Sequence, residues 1–228
     1  YTLSLQDQQD DKSSMGKCIY YSCRLVGLAG SALPGKIVDR ISKSYLSNIF
    51  EFNNFEEIIV ITGTNGKTTT SKIIKDCLEV NKKVFSNSTG SNLVRGIISE
   101  YINSKKLFKK SKNKYAVIEL DEAVFSKVLG QIKPSRIIIL NIFRDQLDRY
   151  GEINTTFVQM KQSIDDYVID NEGKDIRLYL NSNNPLVARL GVEDRTHTYY
   201  FAVNNSSRQS IKHYNLEPIT NDFNYDLV

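Results

Sequence analysis

Four short apolar runs constrain the fold of this chain more than any other feature. They lie at residues 58–61, 116–118, 137–140 and 178–180, and three of them are rich in Ile and Val. Continuous apolar runs of this length are typical of strands that are buried on both faces of a sheet. A further strand is expected at 198–203.

Helical patterns lie between these runs. One spans residues 68–80, a second lies around 125–131 before Pro134, and a third covers the region of 157–168. Their apolar positions recur at helical spacing: Ile73, Ile74, Cys77 and Leu78 in the first, and Phe157, Met160, Ile164, Tyr167 and Val168 in the third. Strands that alternate with helices in this way predict an α/β fold with a doubly wound, mostly parallel sheet.

The chain divides into three parts. Residues 1–17 are polar and aperiodic, which predicts a disordered lead-in. Residues 18–55 predict a short N-terminal helical segment, broken at Pro34 and carrying Ile37, Ile41, Leu46 and Ile49 near helical spacing. Residues 56–228 contain every strand run and form the main domain. Because the chain opens at Tyr1 and not at a methionine, we expect a fragment or a processed form.

Scarce residue types exclude several kinds of chemistry. The chain has two histidines, His197 and His213, which we interpret as structural, and three cysteines. Three cysteines cannot form a four-cysteine zinc site, and an odd number fits a reducing, cytoplasmic compartment. The net charge of +4 predicts no nucleic-acid partner. The apolar stretch 18–33 is interrupted by Arg24 and is shorter than the ~20 residues of a membrane span.

The segment ITGTNGKTTT at 61–70 follows the first strand run and opens the first helix. In that setting backbone N–H groups and the helix N-terminus can hold phosphate, while a lysine supplies charge and a threonine hydroxyl can bind Mg²⁺. Two residues separate the glycines, where the usual phosphate loop has four, and GTNG is also a good tight turn. We predict phosphate binding by Gly63, Thr64, Asn65, Gly66, Lys67, Thr68 and Thr69.

The sequence GTNGKTT resembles the phosphate loop of the Mur ligase superfamily, which includes the folylpolyglutamate and cyanophycin synthetases. Three further motifs that resemble this superfamily follow in order, each at a strand end. They are IELDE at 118–122, NIFRDQLDRY at 141–150 and LNSNNP at 180–185. The last resembles an Asn-x-Asp-Asp-Pro motif of the nucleotide side, with Asn183 and Asn184 in place of the aspartates.

The resemblance implies that ATP and Mg²⁺ are the cofactors. It places Lys67 on the β- and γ-phosphates, and it makes Thr68 and Glu119 the magnesium ligands. Asp145 completes the predicted catalytic set with Lys67 and Glu119, and Asn181 is a predicted nucleotide contact. Positioning and electrostatic stabilisation dominate such phosphoryl chemistry, which requires no histidine.

Other polar residues near these motifs have two interpretations each. Asp121 and Glu122 either support the site or simply open a helix, where acidic residues are favoured. Asp145 and Asp148 either shape the site or pair locally with arginines. Lys161 lies near the position of a carbamylated lysine of several Mur ligases, although a lysine on a helix beside the apolar Met160 is more often simply solvated.

Within the superfamily, NIFRDQLDRYGE, IELDE and SNSTGSN resemble the MurT-type subunits of lipid II isoglutaminyl synthases, over about residues 17–203. Gln146 stands where most Mur ligases have a metal-contacting histidine. This implies ATP-dependent amidation of the D-glutamate α-carboxylate of the lipid II stem peptide, with ammonia from a GatD-type glutaminase. Such proteins commonly carry a four-cysteine zinc ribbon and a C-terminal ligase domain. Because neither part is found in this sequence, we expect an incomplete central domain that does not complete amide formation alone.

The sequence leaves two other functions open. One is a non-catalytic nucleotide-binding protein of Mur-like fold, and the other is a ligase like folylpolyglutamate synthetase. The lysine-rich stretch 103–114 is either a solvated loop or a contact for an anionic partner, such as the inner face of a membrane. A GTPase is disfavoured, because no Asn-Lys-x-Asp motif is present.

Overall fold

The computed structural model describes residues 44–87, 92–104, 115–143, 150–191 and 197–203. Its helices are α1 Tyr45–Asn53, α2 Lys67–Glu79, α3 Val94–Ser104, α4 Glu122–Ile132, α5 Tyr150–Asp170 and α6 Pro185–Ala188. Its strands are β1 Glu57–Thr62, β2 Val84–Ser86, β3 Tyr115–Leu120, β4 Arg136–Ile139, β5 Arg177–Asn181 and β6 His197–Phe201. The predicted strands at all four apolar runs and at 198–203 are therefore confirmed.

The strands form one sheet in the order β2-β3-β1-β4-β5-β6, and every described pair is parallel. The chain moves from β1 out to β2, returns through β3, and then crosses to the other side of β1 to enter β4. The sheet is thus doubly wound, as predicted, with its switch point between β1 and β4. Ligands of such sheets bind at the carboxyl ends of the strands at this point.

The core lies mainly on one face of the sheet. Alternate strand residues such as Val60, Ile118 and Ile137 pack there with buried side chains of α1, α3, α4 and α5. On the opposite face, a smaller cluster of Ile59, Ile61, Val117 and Leu140 packs against Ile74 and Leu78 of α2. Both faces of β1 and β3 are therefore covered, which explains why their sequences are continuously apolar.

The prediction of which residues form the apolar face of α2, the helix predicted at 68–80, is wrong in part. Ile74 and Leu78 pack toward the sheet, whereas Ile73 is 58% exposed and Cys77 is exposed. The buried polar residues Lys67 and Ser71 share the inward stripe with them. Since a helix turns about 100° per residue, positions 67, 71, 74 and 78 align on one side, and 73 and 77 lie outside that stripe.

Other sequence expectations have mixed outcomes. The stripe on α5 is confirmed, with Met160, Ile164 and Val168 buried. Strand β2 was not predicted, because its three residues are too few to show a pattern.

The lead-in and most of the N-terminal helical segment lie outside the described residues, although α1 belongs to that segment and buries Leu46 and Ile49. Among the described residues, no helix is long and apolar enough to cross a membrane.

The packing predicts a large difference between two isoleucine substitutions. Ile118→Ala empties a fully buried position in the main core and should lower the free energy of unfolding by about 2–5 kcal/mol. Ile73→Ala, at a position that is 58% exposed, should change it by no more than about 0.5 kcal/mol. Urea unfolding followed by circular dichroism measures both values. Equal losses would contradict the assignment of the core face.

Candidate functional site

The glycine loop, residues 63–66, joins the end of β1 to the start of α2 at the switch point. Gly63 and Gly66 have φ angles of +135° and +85°, which side chains rarely tolerate. A Cβ atom on Gly63 would lie 2.8 Å from the carbonyl oxygen of Asn141, in the segment that follows β4. The glycines are therefore needed both for the turn and for the close approach of two backbone segments.

Asn141 holds this loop through its side chain and its backbone. The Asn65 N–H donates to Asn141 Oδ1 at 2.7 Å, and Asn141 Nδ2 donates to the Asn65 carbonyl oxygen at 2.9 Å. The Thr64 N–H donates to the Asn141 carbonyl oxygen at 3.0 Å, and the Phe143 N–H donates to Thr64 Oγ1 at 3.0 Å. The sequence predicted polar residues at this strand end, but it did not single out Asn141.

Lys67 is buried at the base of the loop, with 9% of its surface exposed. Its ammonium group donates to the carbonyl oxygens of Gly63 and, at 3.2 Å, of Thr64. It also lies 3.4 Å from Glu122 Oε2. A buried ammonium requires such partners, and carbonyl oxygens that converge on it keep its positive charge next to the start of α2.

The two acidic residues at the start of α4 have different roles. Asp121 is the N-cap of α4, and its Oδ1 accepts a hydrogen bond from the Ala123 N–H at 3.0 Å. The helix-opening interpretation therefore fits Asp121. Glu122 instead extends to Lys67, which places it among the residues that surround the glycine loop.

Thr68 and Glu119, the two predicted magnesium ligands, lie next to each other. The Thr68 hydroxyl donates to Glu119 Oε1 at 3.0 Å. Glu119 is only 7% exposed, and Asn87 pairs with its backbone: the Glu119 N–H donates to Asn87 Oδ1 at 2.8 Å, and Asn87 Nδ2 donates to the Glu119 carbonyl oxygen at 2.9 Å. Hydroxyl and carboxylate oxygens are the ligands that Mg²⁺ prefers.

As magnesium ligands, these two residues would be a sparse set. The described part of the chain contains no cluster of three or more His, Cys, Asp or Glu side chains that could hold a metal ion. Mg²⁺ commonly binds through one or two protein oxygens together with water and substrate phosphates. Thr68 and Glu119 therefore fit an ion that arrives with a nucleotide better than a dedicated protein cage.

The motif at the end of β5 is engaged with neighbouring backbone. Asn181 Nδ2 donates to the Leu140 carbonyl oxygen at 2.8 Å, and Asn181 Oδ1 accepts from the Asn183 N–H at 3.0 Å. Buried Asn184 caps α6 by accepting from the Val187 N–H at 3.0 Å, and its Nδ2 donates to the carbonyl oxygen of Ile142 at 3.2 Å. The nucleotide contact of Asn181 stays a prediction.

The remaining predicted residues differ in where they lie and in whether the structure describes them. Thr69 is exposed in the first turn of α2. Asp145, Asp148 and His213 lie outside the described residues. Lys161 pairs with Asp165 at 2.7 Å and with the Gly191 carbonyl oxygen at 3.1 Å, so its ammonium group is not simply solvated. Its carbamylation stays a prediction, as does the structural role of His197 at the start of β6.

A separate charged cluster lies at the opposite, amino-terminal edge of the sheet. A hydrogen bond from Arg177 and the charge of Arg136 keep the pKa of Asp175 below its usual value. A lowered pKa means that this carboxylate stabilises the fold at neutral pH, and that the contribution is lost as the pH falls through that pKa. Burial raises the pKa of Tyr167, whose hydroxyl donates to the Pro134 carbonyl oxygen at 2.8 Å.

These features define a class: doubly wound α/β proteins with a glycine loop at the switch point, a buried lysine in that loop and a threonine–carboxylate pair beside it. The family model for the Mur ligase middle domain matches residues 61–227. The chain therefore belongs to the Mur ligase family.

Two curated relatives and one solved structure illustrate the similarity. The lipid II isoglutaminyl synthase (glutamine-hydrolyzing) subunit MurT of Staphylococcus aureus (strain COL) is 36% identical over 187 residues, covering 82% of this chain and 40% of that protein. The MurT subunit of Streptococcus pneumoniae (strain ATCC BAA-255 / R6) is 35% identical over 191 residues, covering 83% and 40%. The chain thus spans about 40% of the length of these relatives.

The crystal structure of MurF ligase from Thermotoga maritima in complex with ADP has a TM-score of 0.52 and 17% identity. The match covers 71% of this chain and 37% of that one. At this identity the similarity shows the shared fold, and it confirms the predicted fold class.

Two glycine-to-alanine substitutions should have opposite effects on stability. Gly63→Ala places a Cβ 2.8 Å from the Asn141 carbonyl oxygen at a positive φ, and should cost about 1–3 kcal/mol of unfolding free energy. Gly130→Ala, in α4 with no heavy atom within 4 Å of the new Cβ, should stabilise the protein by about 0.5–1 kcal/mol. Thermal unfolding of both variants measures the difference. A Gly63→Ala variant as stable as the parent protein would contradict the described loop.

Proposed function

We propose that this chain is the nucleotide-binding part of an ATP-dependent carbon–nitrogen ligase that acts in peptidoglycan synthesis. The observation that carries the proposal is the arrangement of Lys67, Thr68 and Glu119 at the switch point of a Mur ligase middle domain. Its three groups are a cation, a hydroxyl and a carboxylate, which are the groups that a magnesium nucleotide needs. The ADP complex of the similarly folded MurF ligase supports the choice of an adenine nucleotide.

The glycine loop supplies the phosphate-binding surface in this proposal. The N-terminus of α2 begins at Lys67, where backbone N–H groups and the helix dipole favour an anion. Lys67 would exchange its carbonyl and Glu122 partners for the β- and γ-phosphate oxygens. The exchange is feasible because the lysine side chain is flexible and its present partners lie within the same loop and the neighbouring α4.

Thr68 and Glu119 would hold Mg²⁺ through their oxygens when it enters with the nucleotide. The Thr68 hydroxyl would then direct a lone pair to the ion in place of its present hydrogen bond to Glu119. Bound Mg²⁺ supplies charge neutralisation at the phosphates. Burial of Glu119 strengthens this electrostatic contribution, since water screens a buried carboxylate less.

The similarity to the two MurT subunits supports a particular substrate and partner. In the proposed reaction the α-carboxylate of D-glutamate in the lipid II stem peptide attacks the γ-phosphorus of ATP, forming an acyl phosphate and releasing ADP. Ammonia then attacks the acyl carbon, loses a proton and displaces inorganic phosphate, leaving the amide. A GatD-type glutaminase partner would supply the ammonia, and a cytoplasmic location would supply ATP.

Removing the lysine charge should weaken nucleotide binding. Lys67→Ala should raise the Kd for Mg-ATP by about 10–100-fold, because a charge-assisted contact to phosphate is lost. Lys72→Ala, an exposed lysine on the same helix, is the matched control and should leave the Kd unchanged. Isothermal titration calorimetry measures both. Unchanged affinity in Lys67→Ala would refute the phosphate-binding role of the loop.

Neutralising the Glu119 carboxylate should weaken Mg²⁺ binding, and should affect ATP binding only through the metal. Glu119→Gln keeps the side-chain shape but removes the charge, so the Mg²⁺ concentration that half-saturates ATP binding should rise on the order of tenfold. Affinity for ATP in EDTA should not fall. Glu79→Gln, at the far end of α2, is the control. A metal requirement identical to that of the parent protein would exclude Glu119 as a magnesium ligand.

A further inference from the structure

In the described part of the chain, five asparagine side chains line the carboxyl edge of the sheet, and each both donates to and accepts from backbone groups. We call them the asparagine belt; its members are Asn87, Asn141, Asn181, Asn183 and Asn184. Three of them pair with both backbone groups of a single residue: Asn87 with Glu119, Asn141 with Asn65, and Asn183 with Val203.

The chemistry of these contacts explains why the residues are asparagines. A carboxamide carries a donor and an acceptor, as a peptide group does. It can therefore continue backbone pairing at the end of a strand, where the sheet ladder stops. An aspartate accepts only, and it would leave the backbone carbonyl oxygen without its donor. This need for a donor accounts for Asn183 and Asn184 at positions where the resembled motif has aspartates, since both donate to a carbonyl oxygen.

Two members of the belt contact the two halves of the candidate site. Asn141 pairs with both backbone groups of Asn65, in the middle of the glycine loop. Asn87 is 1% exposed and pairs with both backbone groups of Glu119, whose carboxylate contacts Thr68. One asparagine thus holds the loop half of the site, and the other holds the carboxylate half.

We infer that Asn141 and Asn87 are positioning residues for nucleotide and metal binding, with Asn141 shaping the glycine loop and Asn87 placing Glu119. The inference rests on the proposed function, in which the loop binds phosphate and Glu119 binds Mg²⁺. A free loop of glycine, threonine and asparagine has many backbone conformations, and fixing one of them before the ligand arrives lowers the entropic cost of binding. Neither asparagine needs to touch the nucleotide to have this effect.

The two roles predict different effects on ATP titrations of the full 228-residue chain. Asn141→Ala removes both side-chain bonds to Asn65 and should raise the Kd for ATP about tenfold, in Mg²⁺ and in EDTA alike. Asn87→Ala removes both side-chain bonds to the Glu119 backbone and adds no charge beside the metal site. It should raise the half-saturating Mg²⁺ concentration about tenfold and leave the affinity in EDTA unchanged.

The matched control is Asn171→Ala, at the opposite edge of the sheet. Asn171 Nδ2 donates to the Tyr167 carbonyl oxygen at 2.8 Å, so this variant also loses an amide-to-backbone bond. It should keep the ATP and Mg²⁺ affinities of the parent chain, whatever the change in its melting temperature. A purely structural role of the belt would lower melting temperatures without this split in affinities.

The outcomes separate the inference from the proposed function. If the parent chain fails to bind ATP, the proposed function is overturned, and the positioning roles fall with it. If the parent chain binds ATP and a folded Asn141→Ala variant binds it equally well, the proposed function stands and the inference is overturned. Asn141 is half-buried in the segment after β4, so its variant decides the question even if the variant of the buried Asn87 does not fold.

Discussion

The central position of β1 is the constraint on which the rest of this structure depends. Its backbone is bonded to β3 on one side and to β4 on the other, so neither edge of the strand is free. The chain can leave β1 only along the strand direction, and it enters α2 after the four residues of the glycine loop. That short passage between two backbones requires Gly63, since any side chain there would collide with Asn141. The close-packed sheet therefore fixes the path of the loop backbone that leads into α2.

The polar groups of the site are a consequence of the same geometry. Lys67 is drawn inward because it opens the helix that follows the loop, and it reaches the loop carbonyl oxygens and Glu122. Glu119 is near the end of β3, directly beside β1, so its carboxylate meets the first turn of α2 at Thr68. Charges that would be costly in the interior are balanced by these contacts at the sheet edge.

Sequence patterns predicted five strands and the helices α2, α4 and α5, but not β2 or α3. The strands could be predicted because buried parallel strands have a composition that solvent-exposed segments rarely share. The same patterns did not predict correctly which side of α2 faces the sheet. Its apolar residues Ile73, Ile74, Cys77 and Leu78 span two adjacent sides, and only packing against the sheet selects Ile74 and Leu78. The sequence also could not assign different roles to Asp121 and Glu122, because two neighbouring acidic residues at a helix start look equivalent. The structure distinguishes them: Asp121 caps α4, and Glu122 contacts Lys67.

The sequence by itself determined the doubly wound sheet and the loop with its two glycines, and its resemblance to the Mur ligases singled out Thr68 and Glu119 together. These properties follow from local periodicity and from motifs at strand ends. Only the tertiary structure decided the roles of Asn141 and Asn87, whose partners are 76 and 32 residues away along the chain. An asparagine carries no periodic signal, and its amide acquires a function only when another backbone segment lies within hydrogen-bonding distance. That proximity is a property of the folded sheet.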